Sequence, residues 1–202
     1  MGGNFFAMMS RMKFIERWAL MRNSHPENIS EHSVEVAMLA HGLAVIGNKR
    51  LGRRYDANKA ALIALYHDST EIITGDMPTP VKYYNRRMRG AFREIEDSAA
   101  RRLLAMLPED LREDYETVFF AAEEEKELWR LVKAADKLSA LIKCIDEAKS
   151  GNTEFAYAKV TISRALDEMG LEEIRIFREE FLPAYDMTLD ELQGEAGDGE
   201  NS

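Results

Sequence analysis

Apolar residues recur three and four positions apart along almost the whole chain, and no segment alternates apolar with polar residues between hairpin turns. That pattern predicts an all-α protein. Phe5, Met8, Met12 and Ile15 share one side of a first helix that Asn4 caps and that runs to about Trp18. Asn28 with Glu31 three residues later reads as a capping box, opening a second helix through His32 to about Ile46, where Gly47 and Asn48 stop it. Asp56 starts a third helix from Ala57 to about Ile73, closed by Thr74 and Gly75. Pro78 and Pro80 then impose a loop, because neither continues a helix and each restricts its predecessor. Further helices are expected over 81–107 (broken near Gly90), 109–121, 123–149, 154–169 and 171–181, with a last turn at 189–192. The sum is one bundle of about seven to nine helices over 1–192, then an acidic tail, 193–202, with the composition of a disordered segment.

The 202 residues, 46% of them hydrophobic, suffice for one sizeable core. Cys144 is the single cysteine, so no internal disulfide framework exists, and a reducing cytoplasmic setting fits. Its neighbours Ile142 and Ile145 continue an apolar stripe, which makes it a core thiol. The longest apolar run, 36–46, contains His41 and is too short to span a bilayer. The opening MGGNFFAMMSRMK has no cleavable signal pattern. A net charge of −9 argues against a nucleic-acid polymer as partner. Seven basic residues against three acidic ones between Lys82 and Arg102 read as a solvated helix face.

Candidate chemistry sits in the stretch YHDSTEIITGDMPTP, residues 66–80. At ~100° per residue on a continuous helix, Glu71 falls on the same side as His67 and Asp68, one turn on. Buried ionisable groups need partners, and an imidazole beside a carboxylate is the donor set of a borderline divalent ion such as Mn, Co, Zn or Ni. A pair binds weakly alone. His32, in the first turn of an otherwise apolar helix, and Asp136, a lone carboxylate in LVKAADKLSALIKC, are the further candidates. His41 lies nine residues after His32, ~180° away on one helix, and reads as a core or partner-facing residue. His25 sits in a loop before Pro26. With no second histidine cluster, one metal ion per chain is expected.

The order His32, His67-Asp68, Asp136 on helices resembles the HD phosphohydrolase superfamily. The segments RMKFIERWALMRN, ISEHSVEVAM, YHDSTEIITGDMPTPVKY, KAADKLSALIKC and GNTEFAYAK are similar to the bacterial HD-domain 5′-deoxynucleotidases of the YfbR type, a likeness running from about Asn4 to Leu192. The resemblance implies a single helical HD domain and hydrolysis of 2′-deoxynucleoside 5′-monophosphates with little base preference. It implies His32, His67, Asp68 and Asp136 as ligands of one ion, cobalt or manganese before zinc, nickel or magnesium. It also implies catalytic roles for Glu71 and Asp68. Nucleotide contacts are implied for Arg17, Trp18, His32, Asp68, Asp76, Met77, Pro78, Thr79, Lys82 and Asp136, and a homodimer as the assembly.

The chemistry is intelligible from the residues. A phosphate monoester dianion hydrolyses extremely slowly in water, and a Lewis acid with a fixed water addresses that barrier. Glu71 would orient or deprotonate that water, or protonate the leaving 5′-oxygen; the sequence leaves these roles open. Arg17 offers a planar fork to oxygens, with an ion pair to Glu16 or Glu31 as its ordinary alternative. Trp18 offers a flat face for deoxyribose, or a helix-end core residue. Competing functions are another HD phosphohydrolase, acting on triphosphates, an alarmone or a phosphodiester, and a non-catalytic helical regulator.

Overall fold

A computed structural model describes residues 3–82 and 84–194 and, at Thr79, the backbone alone. In chain order the helices are α1 (Phe5–Met9), α2 (Ile29–Arg50), α3 (Ala57–Tyr66), α4 (Glu71–Thr74), α5 (Thr79–Lys82), α6 (Arg86–Leu104), α7 (Arg112–Phe119), α8 (Lys126–Lys149), α9 (Ala156–Met169), α10 (Glu172–Glu180) and α11 (Leu189–Gly194). Short 3-10 turns cover Met12–Phe14, Glu109–Leu111, Glu123–Glu125 and Leu182–Asp186. No strand occurs among the described residues, so the all-α expectation holds.

Apolar stripes decide the packing. α2 is the hub, lying against α3, α8 and α10, while α8 also packs on α3 and α9. Val36 and Leu43 of α2, Ile63 of α3, and Leu131, Leu138 and Ile142 of α8 interleave in one buried cluster. Each such side chain stabilises the fold by ~1.5–3 kcal/mol relative to exposure. A second cluster sets Phe5 against Leu103 and Leu107, edged by Tyr66, Tyr115 and Phe119. Cys144 is buried as expected, and burial pushes its thiol up to about 11. No helix among the described residues is long and apolar enough to cross a membrane.

Several boundaries depart from the periodicity for local reasons. The first helix ends at Met9, not Trp18, and Asn4 makes no side-chain capping bond. The Ser10 hydroxyl donates to the Phe6 carbonyl there, and the chain tightens into a 3-10 turn. From Ile15 it runs extended beside the segment before α2: the Ile29 N–H donates to the Ile15 carbonyl at 3.0 Å and the Arg17 N–H to the Glu27 carbonyl at 2.8 Å. The capping box at Asn28 and Glu31 forms as predicted. α2 nevertheless runs past Gly47 to Arg50, because this glycine is a packing residue: a Cβ there would lie 2.8 Å from Tyr55 Cε2. The third helix is not continuous to Ile73. α3 ends at Tyr66, a turn carries His67 to Thr70, and α4 adds one turn before Gly75 closes it at φ +72°. Gly90 leaves α6 unbroken. The arginines of α6 from Arg86 to Arg102 are exposed, the solvated face the charges implied. α11 reaches Gly194, two residues beyond the expected edge of the tail; 195–202 lie outside the described residues.

Two glycines of α2 predict opposite outcomes for one substitution. Gly42 has nothing from elsewhere in the fold within 4 Å of its Cβ position, so Gly42→Ala stabilises by ~0.5–1 kcal/mol through backbone entropy. Gly47→Ala forces Tyr55 and Glu173 apart and costs about 1–3 kcal/mol. Denaturant unfolding of both variants beside the parent measures the difference, and a Gly47→Ala protein as stable as the parent overturns the packing explanation.

Candidate metal centre and active site

The packing of α2, α3 and α8 brings together residues distant in sequence. His32 enters from the first turn of α2, Asp136 from the middle of α8, and His67 with Asp68 from the turn that follows α3. One donor atom from each of these four side chains lies within 4.8 Å of the others. His32 Nε2 is 3.2 Å from Asp136 Oδ1 and 3.5 Å from Asp68 Oδ2; His67 Nε2 is 3.2 Å from Asp68 Oδ2 and 4.0 Å from Asp136 Oδ1. All four predicted ligands therefore converge.

Their hydrogen bonding and charge suit a cation. His67 Nδ1 donates to the Ala64 carbonyl at 2.7 Å, which leaves Nε2 facing the carboxylates, buried and without a hydrogen-bond partner. Burial opposes charge on this ring, yet Asp68, Asp136 and the Ala64 carbonyl push its pKa up to about 9. Burial likewise opposes charge on Asp68, but His67, His32 and Arg17 hold its carboxyl far below the usual range. In the protein alone the His67 imidazole and the Arg17 guanidinium supply positive charge to the two part-buried carboxylates. A divalent ion supplies it better, and two imidazoles with two carboxylates are a fitting donor set.

Glu71 arrives by a different route from the predicted one. The helix is broken between His67 and Glu71, so the 100° periodicity does not apply across it; the Ser69–Thr70 turn directs Glu71 inward instead. Its Oε2 is buried without a hydrogen-bond partner. Burial first, then the Asp68 and Asp76 carboxylates, push its pKa up to about 9 against the pull of Arg17 and Lys82.

A strap between α1 and α2 carries Arg17 and Trp18. Arg17 pairs with neither Glu16 nor Glu31: its Nη1 is 3.1 Å from Asp68 Oδ2 and its Nε 3.3 Å from Glu27 Oε2. Trp18 has φ +58°, unique among the described non-glycine residues and worth about 1–3 kcal/mol of strain. Three contacts hold it there. Its N–H donates to Asp76 Oδ2 at 3.2 Å, its Nε1 to Glu27 Oε2 at 3.1 Å, and its ring meets Phe155 edge-on at 5.2 Å.

The strap's far end is tied to α8 by Glu147. Ser24 N–H donates to both carboxylate oxygens at 3.1 and 2.9 Å, and Asn152 and Lys143 complete the cage.

Among the other predicted contacts, Asp76 reaches the site through Trp18, and Met77 and Pro78 lie half-buried in the loop between α4 and α5. The Thr79 side chain falls outside the described residues. Lys82 bonds Glu96 at 2.8 Å and lies over the Phe92 ring, yet is near enough to act on Glu71 and Asp76. His25 and His41 are both exposed and lie outside the four-donor cluster, so His41 is not a core residue. Sequence reasoning missed Glu27, Glu147, Ser139 and Glu35. Glu35 and Ser139 each follow a ligand by one helical turn, a usable signal; Glu27 and Glu147 carry none.

The model of the YfbR-like 5′-deoxynucleotidases matches residues 4–185. A 5′-deoxynucleotidase of Vibrio parahaemolyticus is 44% identical over 189 residues, 94% of this chain and 97% of that one. That of Erwinia tasmaniensis is 43% identical over 193 residues, covering 96% and 98%. In fold, the chain resembles an HD-domain phosphohydrolase of Listeria innocua with a TM-score of 0.76 at 22% identity, covering 90% of this chain and 88% of the other. It also resembles the HD phosphohydrolase of cyanophage S-2L, a protein bound to dA and one catalytic zinc ion, with a TM-score of 0.60 at 20% identity over 89% of this chain and 99% of that one.

The Glu147 cage predicts a pH dependence. Burial works against its charge, but Lys143, the Ser24 N–H and Asn152 hold its pKa down at about 2, from 4.5. A depressed carboxylate stabilises the fold fully above its unfolded pKa and loses that contribution as pH falls through the folded one. The stability difference between parent and Glu147→Gln is therefore expected to be constant above pH 4.5 and to shrink towards pH 2, as read by unfolding at each pH. A difference independent of pH across that window counts against the cage.

Proposed function

This chain belongs to the YfbR-like 5′-deoxynucleotidase family and is a metal-dependent phosphohydrolase; on that premise we propose how its own residues perform the reaction. One divalent transition metal ion, cobalt or manganese in preference to zinc, nickel or magnesium, is held by His32, His67, Asp68 and Asp136. The substrates are 2′-deoxyribonucleoside 5′-monophosphates, cleaved to deoxynucleoside and phosphate with little base preference. The observation that carries this reading is the convergence of four donor atoms within 4.8 Å beside a buried, unpartnered Glu71.

When bound, the ion supplies Lewis-acid charge to the phosphate and acidifies water. Arg17 binds the phosphate and sugar: its two ion pairs fix the guanidinium, whose five N–H donors exceed what those pairs use. Trp18, held rigidly by Glu27, Asp76 and Phe155, forms a wall against the deoxyribose that a 2′-hydroxyl meets. Asp76, Met77, Pro78 and Thr79 line the sugar and phosphate, with Lys82 behind them. In the metal-free protein burial and the Asp68 and Asp76 carboxylates push the Glu71 carboxyl up, and we assign it the role of general acid towards the leaving 5′-oxygen. Base preference is low because the placed polar groups address phosphate and sugar. The assembly is a cytoplasmic homodimer; exposed Val34, Met38 and Val45 along one face of α2 supply apolar surface for it.

Phosphate release from a nucleotide panel tests the substrate reading. All five deoxynucleoside 5′-monophosphates are expected to react and the ribonucleotides and 3′-monophosphates to be rejected, and Trp18→Ala to narrow the gap between dAMP and AMP by admitting AMP. A parent enzyme that cleaves AMP as well as dAMP, or a ratio of kcat/KM unmoved by Trp18→Ala, contradicts the wall.

Glu71→Gln is expected to retain about one metal ion per chain by elemental analysis while losing roughly 10²- to 10⁴-fold in kcat on dAMP. Turnover of p-nitrophenyl phosphate, whose leaving group needs no proton, should fall far less. A parallel loss on both substrates removes the acid assignment, and loss of metal makes Glu71 a ligand.

A further inference from the structure

We propose that Ser139 and Glu35 are positioning residues that fix the tautomer of His32 and so govern its capacity as a ligand, an inference that rests on the metal-binding reading above. His32 Nδ1 lies 3.0 Å from Ser139 Oγ in the core, where neither side chain reaches solvent. The Ser139 hydroxyl in turn donates to Glu35 Oε2. A hydroxyl has one hydrogen, and a carboxylate only accepts. With that hydrogen committed to Glu35, Ser139 presents only lone pairs to the imidazole, and the proton of the neutral ring belongs on Nδ1. The lone pair is left on Nε2, the nitrogen that faces Asp136 Oδ1 at 3.2 Å and Asp68 Oδ2 at 3.5 Å. In the opposite tautomer Nε2 would donate to Asp136 and cease to be a ligand.

Glu27 Oε1 is 3.6 Å from the same Nδ1, longer than the Ser139 contact, and its charge adds to the preference for a proton on Nδ1. The two histidines thus reach one tautomer by different means. His67 uses the Ala64 backbone carbonyl, which no side-chain substitution removes. His32 depends on two side chains, each one turn beyond a ligand: Glu35 after His32 on α2, and Ser139 after Asp136 on α8. The same helix pair that assembles the donors also orients one of them.

The test uses metal-free full-length protein: parent, Ser139→Ala, Ser139→Thr, Glu35→Gln and the Ser139→Ala/Glu35→Gln double variant. Each is titrated with Co²⁺ against a competing chelator, and the histidine tautomers are read from two-bond ¹H–¹⁵N correlations. Ser139→Ala is expected to weaken Co²⁺ binding by roughly 10- to 100-fold, the usual consequence of removing a group that orients a metal-bound histidine. Glu35→Gln weakens it by a smaller factor, because its amide can also donate to Ser139. Ser139→Thr, which keeps the hydroxyl, restores it. The double variant binds no more weakly than Ser139→Ala, since Glu35 acts only through Ser139. The parent shows His32 as the Nδ1–H tautomer, and Ser139→Ala shifts it towards Nε2–H.

Single variants that keep parental Co²⁺ affinity, losses that multiply in the double variant, or an Nε2–H tautomer in the parent overturn the proposal. Should Ser139→Ala fail to fold, Glu35→Gln decides: weakened binding at an unchanged metal-free Tm supports it, and unchanged binding sinks it. A parent that takes up no Co²⁺ brings down the metal-binding reading as well, whereas a parent that binds beside variants that match it brings down this inference alone.

Discussion

Asp68 and Asp136 are two carboxylates held on the same small space between α2, α3 and α8, and most of the surrounding structure answers that constraint. Burying like charges together is costly unless opposite charge is supplied. His32, His67 and Arg17 all converge on them for that reason. The same field reaches Glu71, whose pKa in the metal-free protein is pushed up by burial and by the Asp68 and Asp76 carboxylates. One electrostatic imbalance thus prepares a cation site and raises the pKa of the carboxyl next to it.

The strap carrying Arg17 and Trp18 shows how such a site is edged. It lacks regular structure over most of its length, so its geometry comes from acidic side chains, its own Glu27 and the later Asp76 and Glu147. Glu27 holds both the Arg17 fork and the Trp18 indole, Asp76 holds the Trp18 backbone in its left-handed conformation, and Glu147 ties the far end to α8. The wall proposed for Trp18 needs this bracing, because a loose side chain would yield to an added hydroxyl.

The sequence by itself determined the fold class, the α2 capping box and the core thiol, and it singled out the four candidate donors. Each of these follows from a local or periodic property: 3.6-residue spacing, an Asn–Glu pair, or an ionisable group set in an apolar helix. Helix ends were less legible. α1 stops where the Ser10 hydroxyl donates back to Phe6, the run from Ile15 is held extended by residues 27–29, and Gly47 reads as a stop signal although Tyr55 and Glu173 make it a packing residue. Only the tertiary structure decided that Glu71 enters through a turn, that Arg17 pairs with Glu27 and Asp68, and that Trp18 is strained. It also decided which nitrogen of each histidine faces the carboxylates: the Ala64 carbonyl one turn back occupies Nδ1 of His67, and Ser139 of α8 lies against Nδ1 of His32. Glu35 and Ser139 lie 104 residues apart, and only the α2–α8 contact makes them one hydrogen-bonded chain.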